Sequence, residues 1–334
     1  MKVVHAVRSD AFAGVERHVV VLARAQAEQG DEIRVIGGDP HRMKVELGPD
    51  VPHLPARTTA EVGAALVRAA GADIVHTHMT AAETAAALAL GGRPYVVTRH
   101  FAARRGRSWA GRLASPVLRQ RAARQIAVSQ FVAGAVDGRS TVVYAGVPNR
   151  PLSSARERVV LVCQRLEPEK DTALALEAFA LSGLVDDGWR LVVAGTGSQG
   201  AQLRERAAQL GLLSDVDLLG FSEDVSALMD QASVLLATAP AEPFGLSVVE
   251  AMACGLPVVA SAAGGHLESV GLVDGAALFS AGSAQDAAGL LRKAARYAPW
   301  RVAYGHRLQT AQRQRFTPDR QARETRSVYE ELLG

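Results

Sequence analysis

Short apolar runs alternate with longer segments of helical periodicity along the whole chain. Runs such as Val3–Val7 and Val159–Cys163 have the length and the β-branched content of buried strands. Strands that are apolar on both faces are typical of parallel sheets covered by helices on each side. The pattern therefore predicts an α/β protein with doubly wound sheets.

The predicted strands are Val3–Val7, Glu32–Ile36, Asp73–Thr77, Pro94–Thr98, Ile126–Val128, Thr141–Tyr144, Val159–Cys163, Arg190–Ala194, Val216–Leu219, Ser233–Ala237 and Pro257–Ala260. The predicted helices are Val15–Gln29, Thr59–Ala70, Ala81–Ala89, Asp171–Ala180, Ala201–Gln209, Val225–Gln231, a helix ending near Ala253, Ala284–Arg296 and the tail Phe316–Leu333.

The length of the chain predicts more than one domain. At 334 residues it exceeds one ordinary core, so two domains of about 150 residues are expected. The segment Gly146–Glu157 is rich in Pro, Asn, Ser and Arg and predicts a linker. We accordingly expect domains at 1–150 and 151–315, followed by a terminal helix within 316–334. Sheets of this kind bind ligands at the carboxyl ends of their strands.

Composition narrows the class of protein. The chain is 48% apolar and carries a net charge of only +3, which by itself does not indicate nucleic-acid binding. Cys163 and Cys254 lack metal-site or redox spacing, so they predict core residues in a reducing compartment. No apolar run reaches the ~20 residues of a membrane span. We expect a cytoplasmic protein, with peripheral attachment to the inner membrane face as the alternative.

Positive charge is concentrated in the segment 93–124. No carboxylate occurs between Glu83 and Asp137, whereas nine arginines do. Such a patch attracts an acidic small molecule, an anionic lipid surface or nucleic acid, and a solvated helix face is an equally good interpretation. The arginines of this segment include Arg99, Arg104, Arg105, Arg107, Arg112, Arg119, Arg121 and Arg124.

The segment Ala241–Ser261 combines two glutamates with a glycine-started helix. Glu242 precedes Gly245, and Glu250 follows about two turns into a predicted helix. The N–H groups of Phe244, Gly245 and Leu246 would lie at the helix start, an environment that favours phosphate. A charge at Glu250, between valines and alanine, needs a partner. The pattern predicts a ligand that carries hydroxyl groups on both sides of a phosphate.

A second candidate site follows the strand Val159–Cys163. Arg165 and Lys170 flank Pro168, which sets a turn at the ligand-binding end of the strand. An arginine fork and a lysine point charge together suit a diphosphate. A surface loop with Glu167 and Glu169 as ion-pair partners is the plainer alternative.

Three further motifs have weaker signals. Gly195-Thr196-Gly197-Ser198-Gln199-Gly200 matches G-x-G-x-x-G after a strand, but the next strand ends without an acid for a ribose, which disfavours NAD. Asp215 and Asp217 straddle a strand start without a third ligand, so no metal is expected. His78 and His100 each follow a strand and predict a polar site at the carboxyl ends.

Taken together, these residues resemble the retaining glycosyltransferases of the GT-B fold, glycosyltransferase family 4. Glu242-Pro243-Phe244-Gly245 with Glu250 is similar to the E-x7-E motif of that family, and Arg165 with Lys170 resembles its diphosphate clamp. The likeness spans nearly the whole chain, although Gln164 stands where the family commonly has glycine. It implies two Rossmann-like domains facing across a cleft, with the acceptor bound by 1–150 and a nucleotide-sugar donor by 151–315.

The resemblance also implies roles for individual residues. His100 and Glu242 would be catalytic, and the remaining donor-binding residues would be Gly14, Arg165, Lys170, Gly195, Gly197, Phe221, Ser222, Phe244, Gly245, Leu246 and Glu250. The acceptor region would include His78, Arg99, Arg104 and Arg105. Transfer would retain the anomeric configuration without a metal or other cofactor. A UDP-sugar is expected before a GDP-sugar, with an anionic or lipid-linked acceptor and no nucleic acid.

Three alternatives stay open at this point. A GT-B sugar-nucleotide epimerase shares the architecture but needs acids poised for proton abstraction, and the first half of the chain shows no such cluster. An NAD-dependent oxidoreductase lacks its ribose acid. A binding module that holds the donor without turnover would have no reason to retain Arg165, Lys170, Glu242 and Glu250 together.

Overall fold

A computed structural model describes residues 1–69, 71–105, 118, 120–153 and 156–334. Their contacts divide the chain into two compact units. The first unit comprises Met1–Gly146 together with Phe316–Gly334, and the second comprises Val147–Arg315. Arg107, Arg112 and Arg119 lie outside the described residues, so the predicted basic segment is described only in part.

The first unit contains a seven-stranded parallel sheet in the order β3-β2-β1-β4-β5-β6-β7. The strand order reverses between β1 and β4, which makes their carboxyl ends a topological switch point. Its strands are β1 (Lys2–Val7), β2 (Glu32–Ile36), β3 (His53–Leu54), β4 (Ile74–His78), β5 (Tyr95–Arg99), β6 (Ala122–Ala127) and β7 (Thr141–Val142).

Helices cover both faces of this sheet. The strand side chains alternate between them: Val3 packs in a cluster with Tyr329, whereas Val4 packs in a second cluster with Leu66. The described helices of this unit are α1 (Gly14–Glu28), α2 (Pro40–Leu47), α3 (Thr59–Arg68), α4 (Met79–Ala89), α5 (Gln130–Ala135) and α13 (Pro318–Leu333). The C-terminal helix α13 packs against α1.

The second unit contains a six-stranded parallel sheet in the order β10-β9-β8-β11-β12-β13. The order reverses between β8 and β11, so a second switch point lies where these strands end. Its strands are β8 (Val159–Cys163), β9 (Arg190–Ala194), β10 (Val216–Gly220), β11 (Val234–Ala237), β12 (Val258–Ser261) and β13 (Ala277–Phe279). Its described helices are α6 (Thr172–Ser182), α7 (Gly200–Gln209), α8 (Val225–Gln231), α9 (Leu246–Ala253), α10 (His266–Ser269), α11 (Ala284–Arg296) and α12 (Ala298–Arg315).

Six of these elements were not predicted from the pattern. Strands β3 and β13 are only two and three residues long, and α2, α5 and α10 span eight, six and four residues, which is too short for a clear period. Helix α12 is long but mostly polar. Its Pro299 suggests the end of a helix in the sequence, but it lies in the first turn, where proline is tolerated. Tertiary packing therefore decides these elements: Tyr304 and Leu308 of α12 are fully buried.

Candidate functional site

The loop after β8 carries Lys170 and Arg165, the two residues predicted to bind a diphosphate, and the two differ in exposure and in ion-pair partner. Nζ of Lys170 lies 2.5 Å from Oε2 of Glu242, and each side chain is about 15% exposed. Arg165 pairs instead with Glu169, four residues on, and both are more than half exposed. An exposed pair of this kind contributes little and exchanges its partner readily. The structure thus brings Lys170 and Glu242 into direct contact, which the sequence did not predict.

Gln164 fixes the turn that carries Lys170. Its side-chain amide donates to the carbonyl oxygen of Lys170 at 3.0 Å and to the hydroxyls of Thr172 and Thr238 at 2.9 and 3.0 Å. Thr238 also donates to the Lys170 carbonyl. Because Thr238 follows β11, this network ties the ends of β8 and β11 at the switch point. Sequence reasoning noted Gln164 only as a departure from the family.

The glycines of the G-x-G-x-x-G segment bring two loops together. A Cβ at Gly195 would collide with the carbonyl oxygen of Gln164, and one at Gly197 would collide with the backbone of Leu166. Backbone hydrogen bonds join Leu166 to Thr196 and Gln199 to Leu166, each at 2.9 Å. The glycines are therefore explained by close packing against the loop that carries Arg165, which is the tight-turn interpretation of the motif.

Helix α9 begins as the sequence predicts. Gly245 adopts a left-handed conformation with φ of 90°, and among the described residues no side chain caps the start of α9. N–H groups at an uncapped helix start, together with the helix dipole, favour an anion. Phe244 and Gly245 are buried, Leu246 is half-buried, and Glu242 lies immediately before them.

Glu250, Phe221 and Ser222 are the other residues of the second unit that were predicted to bind the donor. Glu250 lies in α9 and is half-buried beside the buried Val249 and Ala251. Phe221 and Ser222 follow β10, and Phe221 is 62% exposed.

His266 is a neighbour of Glu242 that the sequence analysis missed. It begins α10 after Gly264-Gly265, and both glycines pack against the Glu242–Phe244 backbone. Nδ1 of His266 lies 3.0 Å from the Ser261 hydroxyl. Burial lowers the pKa of His266, while the Glu242 carboxylate opposes the shift. A histidine after β12, at the carboxyl edge of the sheet, is a signal that could have identified it.

In the first unit, His78 and His100 belong to a cluster of five buried histidines. Nδ1 of His78 and Nε2 of His100 are 3.1 Å apart, and Nε2 of His78 lies 3.1 Å from Nδ1 of His5. The ring of His76 stacks on that of His78 with centroids 4.4 Å apart, and His18 meets His100 edge-on at 4.7 Å. The sequence predicted two of these histidines at strand ends, and register supplies a third, because β1 pairs His5 with His76.

Burial keeps this cluster uncharged. Desolvation is the largest cause in each case and lowers the pKa of His5 to about 4 and that of His100 to about 3. The pKa values of His18, His76 and His78 are also lowered, again by burial first and then by neighbouring histidines.

Two triplets of these histidines have nitrogens close enough to converge on a metal ion. They are His5 with His76 and His78, and His18 with His78 and His100. In each triplet, one nitrogen from each histidine lies within 4.8 Å of the other two. Neutral imidazole is a good ligand for zinc and related metals. His76, however, already uses Nδ1 with the Tyr329 hydroxyl and Nε2 with Thr98, both at 2.6 Å.

Most of the predicted acceptor residues are buried. The Arg105 guanidinium donates to Glu83 at 2.7 to 2.9 Å, to Asp137 at 2.6 Å and to Gln125 at 2.7 Å. The two carboxylates that bound the acid-free segment therefore both neutralise Arg105. The guanidinium is engaged inside the fold, and the place of Arg105 in the acceptor region stays a prediction.

The other residues predicted for the acceptor region differ in exposure. Arg99 is buried and donates to the carbonyl oxygen of Ala103, and His78 is fully buried between two histidines. Both side chains are closed off from solvent, and their place in the acceptor region stays a prediction. Arg104 is exposed. The prediction of an anion-binding surface is left with the exposed Arg93, Arg104, Arg121 and Arg124 and with the arginines outside the described residues.

Gly14 begins α1 after β1, at the carboxyl edge of the first sheet. The N–H of Ala13 donates to the Glu16 carboxylate at 2.9 Å, which fastens the first turn. No helix among the described residues has both the length and the apolar character to cross a membrane.

The two parallel sheets, each with a switch point, define the GT-B class of glycosyltransferase folds. A crystal structure of Anabaena HepE in complex with UDP and glucose matches 99% of this chain and 99% of its own, with a TM-score of 0.81 and 23% identity. Models for "Glycosyltransferase Family 4" and "Glycosyl transferases group 1" match residues 12–148 and 148–307 respectively. The chain belongs to the family 4, group 1 glycosyltransferases.

Curated relatives are similar over shorter stretches. An exopolysaccharide phosphotransferase of Streptomyces coelicolor is 35% identical over 130 residues, which is 37% of this chain and 14% of the relative. A GDP-mannose-dependent alpha-(1-6)-phosphatidylinositol dimannoside mannosyltransferase of Mycobacterium tuberculosis is 40% identical over 110 residues, 31% of this chain and 27% of the relative. The matched regions thus span between about a seventh and about a quarter of these relatives.

Proposed function

We propose that the protein transfers a sugar from a nucleoside-diphosphate sugar to an acceptor with retention of the anomeric configuration. The observation that carries the proposal is the pairing of Lys170 with Glu242 at 2.5 Å, beside the uncapped start of α9. A half-buried cation, its carboxylate partner and a helix start lie together at one switch point. Family membership supports the reaction class.

The donor diphosphate would take Lys170 and Arg165 from their present partners. Glu242 holds one cation and Glu169 the other, so phosphate oxygens would replace carboxylate oxygens in both pairs. Backbone N–H groups at Gly245 and Leu246 would add to the anion site. These groups stabilise the charge of the departing nucleoside diphosphate, a role that needs no metal.

Release of Lys170 leaves Glu242 free to bind the donor sugar. We assign Glu250 to the ribose hydroxyls and place the base near Gly195, Gly197, Phe221 and Ser222, as the resemblance implies. His100 would contact the transferred sugar. A UDP-linked donor is proposed before a GDP-linked one, because HepE was crystallised with UDP. The mycobacterial relative, by its name, uses GDP-mannose.

The acceptor is proposed to be anionic or lipid-linked, with peripheral contact to an anionic membrane surface as one route to it. Exposed Arg104 supports this, and so does the phosphatidylinositol dimannoside in the name of the mycobacterial relative. Raising salt should weaken acceptor binding, because exposed charges are screened over about 8 Å at 0.15 M ionic strength. Unchanged acceptor affinity between low and high salt would remove this part of the proposal.

Release of nucleotide tests the proposed reaction. The full chain is incubated separately with UDP-, GDP- and ADP-sugars, and the released nucleotide is identified by chromatography. The expected product is UDP. Release of a nucleoside monophosphate would instead indicate transfer of a phospho-sugar, and isomerised donor without nucleotide release would indicate an epimerase. Either result, or no binding of any donor, contradicts the proposal.

A further inference from the structure

Four buried groups of the first unit form one unbroken hydrogen-bonded chain. Oε1 of Gln26 lies 2.7 Å from Nε2 of His5, whose Nδ1 lies 3.1 Å from Nε2 of His78. Nδ1 of His78 then lies 3.1 Å from Nε2 of His100. The chain runs from α1 through the ends of β1 and β4 to the residue after β5. It starts at fully buried Gln26 and ends at His100, the most exposed of the five histidines at 9%.

The chain has a direction, which follows from counting protons. A neutral imidazole carries one ring proton, so one nitrogen donates and the other accepts. An amide oxygen only accepts, so Nε2 of His5 holds its proton and Nδ1 of His5 accepts. Nε2 of His78 must then donate to His5, which leaves Nδ1 of His78 to accept from Nε2 of His100. Each step is determined by the one before it.

The direction of the chain depends on the neutral state of the three rings and on the orientation of the Gln26 amide. Burial lowers the pKa of His5, His78 and His100 far enough to keep all three rings uncharged near pH 7. The amide oxygen of Gln26 is the atom that meets Nε2 of His5, at 2.7 Å, whereas the amide nitrogen is buried and makes no hydrogen bond among the described residues. The direction of the chain follows from this orientation of the amide, in which an oxygen can only accept.

We propose that Gln26, His5 and His78 are positioning residues that hold His100 in its Nε2–H tautomer, with Nδ1 left as an acceptor for a substrate hydroxyl. Within the described part of the chain, no hydrogen bond is made by Nδ1 of His100. Which ring nitrogen carries the proton is commonly set by the partner of the other nitrogen. Here the tautomer of His100 is set by an amide three hydrogen bonds away. Its consequence for catalysis rests on the proposed function, but the tautomer itself does not.

His76 supplies a matched control. It is as buried as His78 and stacks on it, yet its two nitrogens bond to Tyr329 and Thr98, outside the chain. A substitution at His76 therefore disturbs packing in the same place without interrupting the chain. A purely structural effect would be shared by variants at both positions.

The tautomers can be read directly by long-range ¹H–¹⁵N correlation spectra of the full chain with ¹⁵N-labelled histidine. Signals are assigned by single His→Gln variants, and spectra are recorded near pH 7.5. We expect the Nε2–H form for His5, His78 and His100. In Gln26→Leu, which has a similar volume but no acceptor, we expect His100 to populate both tautomers. Gln26→Glu keeps an acceptor oxygen and should preserve the Nε2–H form, as should His76→Gln.

Several outcomes would overturn the inference. They are an Nδ1–H proton on wild-type His100, a His100 tautomer that does not respond to Gln26→Leu, and a response to His76→Gln equal to that of Gln26→Leu. Stoichiometric zinc in the purified protein, or histidine signals that shift together on adding equimolar Zn²⁺, would show a metal site instead. Thermal unfolding followed by circular dichroism confirms that each variant is folded.

The catalytic consequence is measured separately, as release of UDP from UDP-glucose. For Gln26→Leu we expect kcat to fall on the order of tenfold with little change in KM for the donor, since a misoriented group costs turnover more than binding. Gln26→Glu should restore kcat. If the protein releases no UDP at all, the proposed function fails while the tautomer result stands. If UDP is released and the tautomer responds but kcat does not, His100 has no such role.

Discussion

At the scale of single residues, the same charged side chains have very different environments. Lys170 and Glu242 form a half-buried pair at the end of β8. Arg105 is enclosed by Glu83 and Asp137, although its surroundings in the sequence suggested a free cation. Whether a charge is available to a ligand depends on the carboxylates that the fold places near it, and these lie 22 and 32 residues away from Arg105. Local sequence cannot reveal such partners.

The first prediction concerns Glu242. In Glu242→Gln the side chain keeps its size and hydrogen bonding but loses the charge that pairs with Lys170. We expect kcat for transfer to fall on the order of a hundredfold, while the Kd for UDP changes by less than about threefold. UDP release and calorimetric titration with UDP measure the two quantities.

Glu177→Gln provides the control, because Glu177 is ion-paired with Arg206 at 2.7 Å in the same unit but lies away from the switch point. It should leave both quantities unchanged. A parallel loss of UDP affinity and turnover in Glu242→Gln would assign Glu242 to the nucleotide rather than to the sugar.

The second prediction concerns Arg105. Arg105→Met removes one partner of a buried ion pair and leaves the carboxylate of Glu83, which is fully buried, without its positive partner. We expect the free energy of unfolding to fall by about 3–5 kcal/mol in denaturant titrations. Arg190→Met breaks a pair with Asp217 that is largely exposed, and it should cost no more than about 1 kcal/mol. Equal losses of unfolding free energy in the two variants would mean that Arg105 does not form a buried ion pair with Glu83.

At the scale of elements, strongly periodic and apolar segments were predictable. Strands β8 and β9 were predicted with the bounds that the structure has, and so were the helices α8 and α11. Burial against a sheet requires apolar residues at regular intervals, so the sequence of these elements shows the pattern directly. Short or polar elements such as α5 and α12 were missed, because neighbours elsewhere in the fold stabilise them. Helix α9 was predicted from its glycine, its helix-forming residues and the stop at Gly255.

The third prediction concerns the start of α9. In Gly245→Ala the alanine must adopt a φ of 90°, and its Cβ would lie 3.4 Å from side-chain atoms of Glu242 and His266. We expect a loss of about 1–2 kcal/mol in unfolding free energy from the left-handed backbone, together with weaker UDP binding because the helix start and Glu242 shift. Calorimetry with UDP and denaturant titration measure both effects.

Gly211→Ala separates the two effects. Gly211 has a φ of 71° with nothing within 4 Å of the new Cβ, so it carries the backbone strain alone. It should lose similar stability and keep wild-type UDP affinity. If Gly245→Ala also keeps wild-type affinity, the start of α9 is not part of the donor site.

At the scale of the whole molecule, the buried histidines make stability depend on pH. The pKa is lowered from 6.5 to about 4 in His5 and to about 3 in His100. Between pH 6.5 and these values the unfolded chain binds protons that the folded protein excludes. Stability is therefore lost as the pH falls through this window, by up to about 1.4 kcal/mol per pH unit for each such histidine.

The fourth prediction follows from this linkage. The free energy of unfolding should fall steeply between pH 6.5 and pH 4, and the decrease should be shallower in His5→Gln. Exposed His306 lies outside the cluster, so His306→Gln should retain the wild-type slope. Denaturant titrations at half-unit pH steps measure the slopes. A wild-type slope in His5→Gln would show that His5 is not buried in its neutral form.

The sequence alone determined the class of sheet, the family and the motifs at the strand ends, because hydrophobic period and local turn chemistry are properties of neighbouring residues. Only the tertiary structure decided which of these residues meet. Strand register placed His5 beside His76, and α1 and the end of β5 added His18 and His100 to the cluster. The switch point of the second sheet brought Lys170 to Glu242, 72 residues away. Burial, charge pairing and tautomer state all depend on such distant contacts, so they follow from the fold and cannot be read along the chain.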